Sequence, residues 1–194
     1  MPNQTETRNS ILLLAIISLL VIASRFVLIE WPNFKPVAAA AIFLGFYCRD
    51  QRIAVGIGLG CMLVSDFVIG FYSPLLMVSV YASIAIACGL GMVLSGRLQN
   101  SNSVALRTGA VSVAAIVAAV VFYLVTNIAV VFANSWYPNS MEGILMSLAA
   151  GLPFFKYTLA GNVLFTVGIF SAYFWFASLT APKPAGVEAA FKEV

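Results

Sequence analysis

The sequence predicts an all-α membrane protein, six transmembrane helices in one compact bundle. Three observations predict it. The first is composition: 62% of the 194 residues are hydrophobic and 9% are charged, with a mean hydropathy of +1.01. A soluble chain carries roughly 25% charged residues. The second is a set of apolar runs at 11–29, 53–72, 74–96, 109–133 and 155–179. Each has about the 20 residues that cross a bilayer core of about 30 Å. The third is where the cations fall. Of ten Lys and Arg, seven (Arg8, Arg49, Arg52, Arg97, Arg107, Lys183 and Lys192) lie in alternate inter-helix segments. That is the positive-inside pattern of a multi-pass protein. The other three, Arg25, Lys35 and Lys156, share the intervening segments with Glu30, Asp66 and Glu142.

Each element follows from local chemistry. Residues 1–10 read as a cytoplasmic N-terminus. The run 11–29 is too long for a signal-peptide core of about 7–15 residues and lacks a clean small-x-small site after it, so it reads as an uncleaved first helix. Trp31-Pro32-Asn33 breaks that helix. The stretch 37–47 is short for a span, and charge decides its reading. If it crosses, both termini and the loops 48–52 and 97–108 share the cytoplasmic side with seven cations; if it turns back, the bias inverts. It therefore reads as a second span, short or extended outward through Lys35 and Pro36. Ser73-Pro74 turns the chain between spans three and four, and 97–107 forms a polar cytoplasmic loop. Residues 134–154 read as the longest outer loop, with an apolar piece at 141–150 suited to an interfacial helix. The transmembrane domain is thus 11–180, followed by a polar cytoplasmic tail at 181–194. Both termini therefore read as cytoplasmic.

Several chemistries are excluded. The chain has no histidine, which removes Ser-His-Asp, Cys-His and HExxH catalysis. Cys48, Cys61 and Cys88 have no metal spacing and read as buried apolar residues. No basic run is dense enough for nucleic acid. The Gly-rich run Gly56–Gly60 follows no strand, so it reads as small residues that, with Gly89 and Gly91, let helices approach. No catalytic residue, metal or cofactor is expected.

The functional clue is a polar slab near the outer helix ends. An ionisable residue within a span costs about 2.5–3.5 kcal/mol on insertion scales and needs a partner or water. Asp66 lies about 9 Å below the end of span three, Arg25 about 6 Å below that of span one, and Asn127 about 9 Å below that of span five. Lys156 and Asn162 occupy the first turns of span six. Thr158, Asn162 and Thr166 recur every four residues and form one stripe; Tyr123 and Asn127 share a face of span five. Aromatics surround the slab, among them Phe34, Tyr72, Tyr81, Trp136, Tyr137, Phe154 and Phe155. Convergent polar groups with aromatic walls suit a small-molecule site. Asp66 can also serve as a structural partner of Arg25 or Lys156, and Asn127 and Asn162 as interhelical hydrogen bonders. Lys35 and Glu142 read as solvated loop charges. Lys156, a cation near a helix start, opposes the macrodipole and needs another reason to be there.

The stretches PNFKPVAAAAIFLGFY (32–47), SDFVIGFY (65–72), LVTNIAVVF (124–132), WYP (136–138) and AGLPFFKYTLAGNVLFT (150–166) all border this slab. With the six-span architecture, they resemble an uncharacterised bacterial membrane family similar to the S components of energy-coupling-factor transporters. That resemblance implies a substrate-binding membrane subunit working with an energising module. The small-x-x-x-small docking motif of such subunits is absent from span one, where Ala15, Leu19 and Ala23 stand at four-residue steps; Ala38–Ala41 in span two is a substitute. The chain has no Walker A sequence. The expected function is capture and uptake of a small vitamin-like or zwitterionic solute, with the bilayer, the solute and the energising module as partners. Asp66, Asn127, Lys156, Asn162, Arg25, Tyr81, Trp136 and Tyr137 are the expected binding residues. The alternatives are an assembly subunit in which the slab is glue, and a membrane enzyme using Asp66 as acid or base with Lys156 stabilising an anion.

Overall fold

The structure, a computed structural model, describes residues 4–31, 33–48, 50–98, 101 and 103–180. The expected tail 181–194 lies outside the described residues, as do Pro32 and Arg49 of the expected loops. The described chain is all α: α1 Gln4–Val27, α2 Val37–Tyr47, α3 Gln51–Ile69, α4 Pro74–Leu98, α5 Val104–Ala133 and α6 Met141–Thr180. All except α2 are long and apolar enough to cross a membrane. Side-chain oxygens open two of them, as N-caps do. Asp50 accepts from the Arg52 amide at 2.8 Å, and Ser103 accepts from that of Leu106 at 3.3 Å. Gly70 closes α3 at φ 113°, a conformation open to glycine and strained for other residues.

The short helix is the centre of the molecule. α2 packs against every other helix, most extensively α4, and Ala39 to Gly45 are all buried. Its alanines and one glycine explain this, because small residues let helix backbones meet. A Cβ added at Gly45 would lie 1.9 Å from the Cys88 carbonyl oxygen, and one at Gly91 would lie 1.9 Å from that of Ile42. The α2–α4 crossing is therefore backbone on backbone. Of the expected close-approach glycines, Gly91 makes this crossing. Gly58 makes ordinary contacts, and Gly56, Gly60 and Gly89 face open space. Gly91→Ala should accordingly cost about 1–3 kcal/mol by overpacking. Gly89→Ala should leave the melting temperature in detergent unchanged or slightly raised. Equal effects at the two positions would refute the crossing.

Among the described helices, α1 packs only on α2 and α3. α5 and α6 run side by side and are stitched where Ser147 donates to the Asn127 carbonyl at 2.8 Å and the Tyr123 hydroxyl donates to that of Leu148. The expected outer loop 134–154 is corrected here: only 134–140 connects, and the apolar piece 141–150 is continuous with the last span in one 40-residue helix. Pro153 stands inside it. Neighbouring groups can compensate for the hydrogen bond that such a proline removes. Here α5 braces the turns before it. The end bearing Ser10 and Tyr47 is closed by aromatics. Phe43, Phe46, Phe170, Tyr173 and Phe174 stack edge to face, and the Arg107 guanidinium sits 4.5 Å from the Phe174 ring centre.

Candidate functional site

The opposite end, where α1 finishes, holds the polar groups. Arg25 closes the last turn of α1, where a cation suits the helix dipole. Its Nη1 lies 2.7 Å from Asp66 Oδ1 and donates to Ser65 Oγ at 2.6 Å and the Met62 carbonyl at 3.3 Å. The Tyr81 hydroxyl, from α4, donates to the other carboxylate oxygen at 2.8 Å. Asp66 is 1% exposed. Both its oxygens are therefore occupied, and one ionic knot ties α1, α3 and α4 together.

The described parts of the next connection, 28–31 and 33–36, fold over the bundle. Asn33 takes φ 61°, a left-handed conformation that asparagine tolerates. Phe34 packs between Trp31 and Phe165, at 5.9 and 5.3 Å between ring centres. A Cβ at Gly161 would meet the Phe34 backbone at 3.3 Å, so the absence of a side chain there lets this segment cross α6 closely. The crossing carries Lys35 inward to a half-buried position. α2 starts only at Val37, so Lys35 and Pro36 do not extend it.

Beneath this segment lies a cavity of about 200 Å³ lined by Arg25, Asn33, Lys35, Tyr72, Thr158 and Asn162, with Met62, Val80, Ile84 and Phe122 among its apolar walls. A second chamber of about 230 Å³ shares Asn33, Tyr72, Val80, Phe122 and Thr158 with it and runs on to Tyr123, Asn127, Phe154 and Phe155. Together they reach the lower range of small-molecule sites, about 300–1,000 Å³. The stripe Thr158, Asn162, Thr166 is buried along its length. Thr158 donates back to the Phe154 carbonyl at 3.4 Å, whereas Asn162 Nδ2 and Thr166 Oγ1 have no partner among the described residues.

Electrostatics follow from this placement. The Lys35 ammonium is pushed below its ordinary pKa, first by burial and then by Arg25, with Asp66 opposing. The Tyr72 phenol is pushed up by burial and by Asp66, with Arg25 opposing.

The structure therefore gathers Arg25, Asp66 and Tyr81 into one knot, of which Arg25 lines the cavity; Asn162 lines the same cavity and Asn127 the adjoining chamber. The Asn127 amide donates to the Tyr123 carbonyl of its own helix at 2.8 Å. Its carbonyl abuts Gly151, where a Cβ would lie 2.5 Å away. Lys156, Trp136 and Tyr137 do not join them. Lys156 precedes Thr158 by two residues, which places it about 200° around the helix. It is exposed, 5.0 Å from the Tyr157 ring centre. Trp136 and Tyr137 line a separate open groove along 132–139. Lys35 is the reverse case: the residue expected to be a solvated loop charge lines the cavity, because the loop folds inward. Glu142 is exposed.

Residues 4–184 match a family of unknown function, DUF6580. The chain belongs to this family. No curated protein and no solved structure matches it.

Proposed function

We propose that this DUF6580 protein is a six-span membrane protein that binds a small solute in the paired chambers and takes part in its uptake. The observation that carries the reading is the non-helical stretch 33–36 folded onto the bundle between α1 and α2. Irregular backbone within a membrane bundle is tolerated where it is covered by protein or lines a water-filled cavity. Interrupted or short helices of this kind mark substrate sites in transporters. Ser10 Oγ accepts from the Tyr47 hydroxyl at 2.9 Å, so the two helices run antiparallel from a common level. From there α1 rises about 22 Å to Arg25, while α2 rises only about 15 Å to Val37. The missing length is made up by the segment that carries Asn33 and Lys35.

On this reading the protein acts as a substrate-binding subunit of the energy-coupling-factor S-component kind, and a separate module supplies the energy. The chambers face outward and both termini lie in the cytoplasm of a bacterial inner membrane. The basic residues toward the Ser10 end support that orientation. The buried Arg25–Asp66–Tyr81 knot favours a second reading, in which that trio only holds helices together.

One experiment tests both orientation and binding. Tyr72, at 37% exposure, lines both chambers. In cells carrying Tyr72→Cys on a Cys48→Ser background, a membrane-impermeant maleimide should label position 72. A panel of acidic, basic, zwitterionic and neutral solutes should include some that slow the labelling. Labelling only after lysis would refute the orientation, and no protection by any class would refute the binding site.

A further inference from the structure

Resting on the reading of the chambers as a solute site, we propose that they select a small organic carboxylate, its charge held between Arg25 and Lys35 and one oxygen accepting from Asn162 Nδ2. The charge balance carries this. Arg25, Lys35 and Asp66 cluster at the cavity, two cations to one anion. The anion is spent: Asp66 is 1% exposed and has one oxygen against Arg25 and the other against Tyr81. It does not line the cavity, whereas Arg25 and Lys35 do.

Among the described residues Arg25 makes its hydrogen bonds and ion pair through Nη1, which leaves Nη2 and Nε to a ligand. Lys35 forms no ion pair among the described residues. Two neighbouring, partly desolvated cations with one committed acid leave the cavity net positive, and an anion relieves that. Its depressed pKa points the same way.

Asn162 supplies an independent observation. It is 3% exposed, lines the cavity, and its Nδ2 has no partner among the described residues. A buried donor without a partner is costly, and a ligand oxygen would satisfy it. The walls then decide what carries the charge. Val80 and Phe122 face both chambers, and the second continues along Phe154 and Phe155. An inorganic ion would leave these surfaces unused, whereas a carbon body buries against them. A zwitterion's ammonium calls for a free carboxylate, and none of the described residues lining either chamber supplies one.

The test uses the full chain in neutral detergent, with melting temperature as readout. The probes are phenylacetate and phenylpropionate, their neutral amides, phenethylamine, inorganic phosphate, and phosphatidylglycerol in mixed micelles. The acids should raise the melting temperature saturably, and the amides, the amine and phosphate should not. Lys35→Gln should remain folded and weaken the acids by about tenfold to a hundredfold. Arg25→Lys, which keeps a cation beside Asp66, should weaken them while still melting cooperatively. Equal shifts by acid and amide, or a shift by the amine alone, would overturn the charge assignment and leave a solute site standing. A shift by phosphatidylglycerol alone would make this a lipid-headgroup site and overturn the proposal. No shift by any probe would overturn the proposal and the solute site together.

Discussion

Asp66→Asn should lower the melting temperature by roughly 10 °C. The carboxylate is fully enclosed, 2.7 Å from an Arg25 nitrogen whose side chain is itself only 11% exposed. Removing one partner of a buried pair leaves the other charge uncompensated, at about 3–5 kcal/mol. At about 2–4 °C per kcal/mol for a chain of this size, that gives the expected shift. The Tyr81 hydroxyl keeps a carbonyl to donate to, so the loss reports on the guanidinium. Adding Arg25→Gln removes the stranded charge, and the double variant should recover most of the stability. It should not recover binding of phenylacetate, because Arg25 is then absent from the cavity wall. A single variant as stable as the parent would show that Arg25 reaches water by another route. A double variant that binds as the parent does would remove Arg25 from the site. Asp66 is thereby assigned to positioning Arg25, and the cation to the ligand.

What could be read in the sequence was set by helical periodicity and by charge counting. Thr158, Asn162 and Thr166 lie four residues apart, and a helix turns that spacing into a wall whatever it packs against. Arg25 and Asp66 could be paired because each sits about two turns or less from a span end, where one needs the other. Tertiary approach was legible only in outline. Gly91 was expected to allow close approach along with Gly56–Gly60 and Gly89, but only the α2–α4 crossing separates it from them and adds Gly45. Pro153 read as a helix boundary because local sequence favours a break there. The bracing pairs Tyr123 with Leu148 and Ser147 with Asn127, partners 25 and 20 positions apart. Lys35 was unreadable for the same reason. Between Phe34 and Pro36 it looks like a loop charge, and its burial depends on Gly161, more than a hundred residues on, letting the loop cross α6. Lys156 misled in the opposite sense: depth along a helix is legible, whereas the direction a single residue faces depends on which side the neighbours occupy.

Lys35→Met should raise the melting temperature of the ligand-free protein at neutral pH while abolishing its response to phenylacetate. The charged groups facing Lys35 are Arg25 from α1 and Asp66 from α3, with the Tyr72 phenol from the α3–α4 turn. Burial and Arg25 outweigh Asp66 and hold the ammonium below 10.5. The folded protein thus binds the Lys35 proton more weakly than the unfolded chain does. Between the depressed value and 10.5 the unfolded chain carries more protons, so this residue's contribution to stability rises with pH. Below the depressed value its burial penalty is present in full. Methionine keeps the apolar stem and removes that penalty, so the variant's advantage should be largest at neutral pH and shrink as pH approaches 10.5. Binding runs the other way. A carboxylate needs the ammonium charged, so wild-type affinity should be greatest below the depressed value and fall as pH rises through it. Lys156→Met removes an equal charge from an exposed position and should change stability by no more than about 0.5 kcal/mol and binding not at all. Opposed shifts in stability and binding mark a residue retained for function at a cost in stability. Lower stability in Lys35→Met together with undiminished binding would instead make Lys35 a structural residue and leave Arg25 alone to hold the anion.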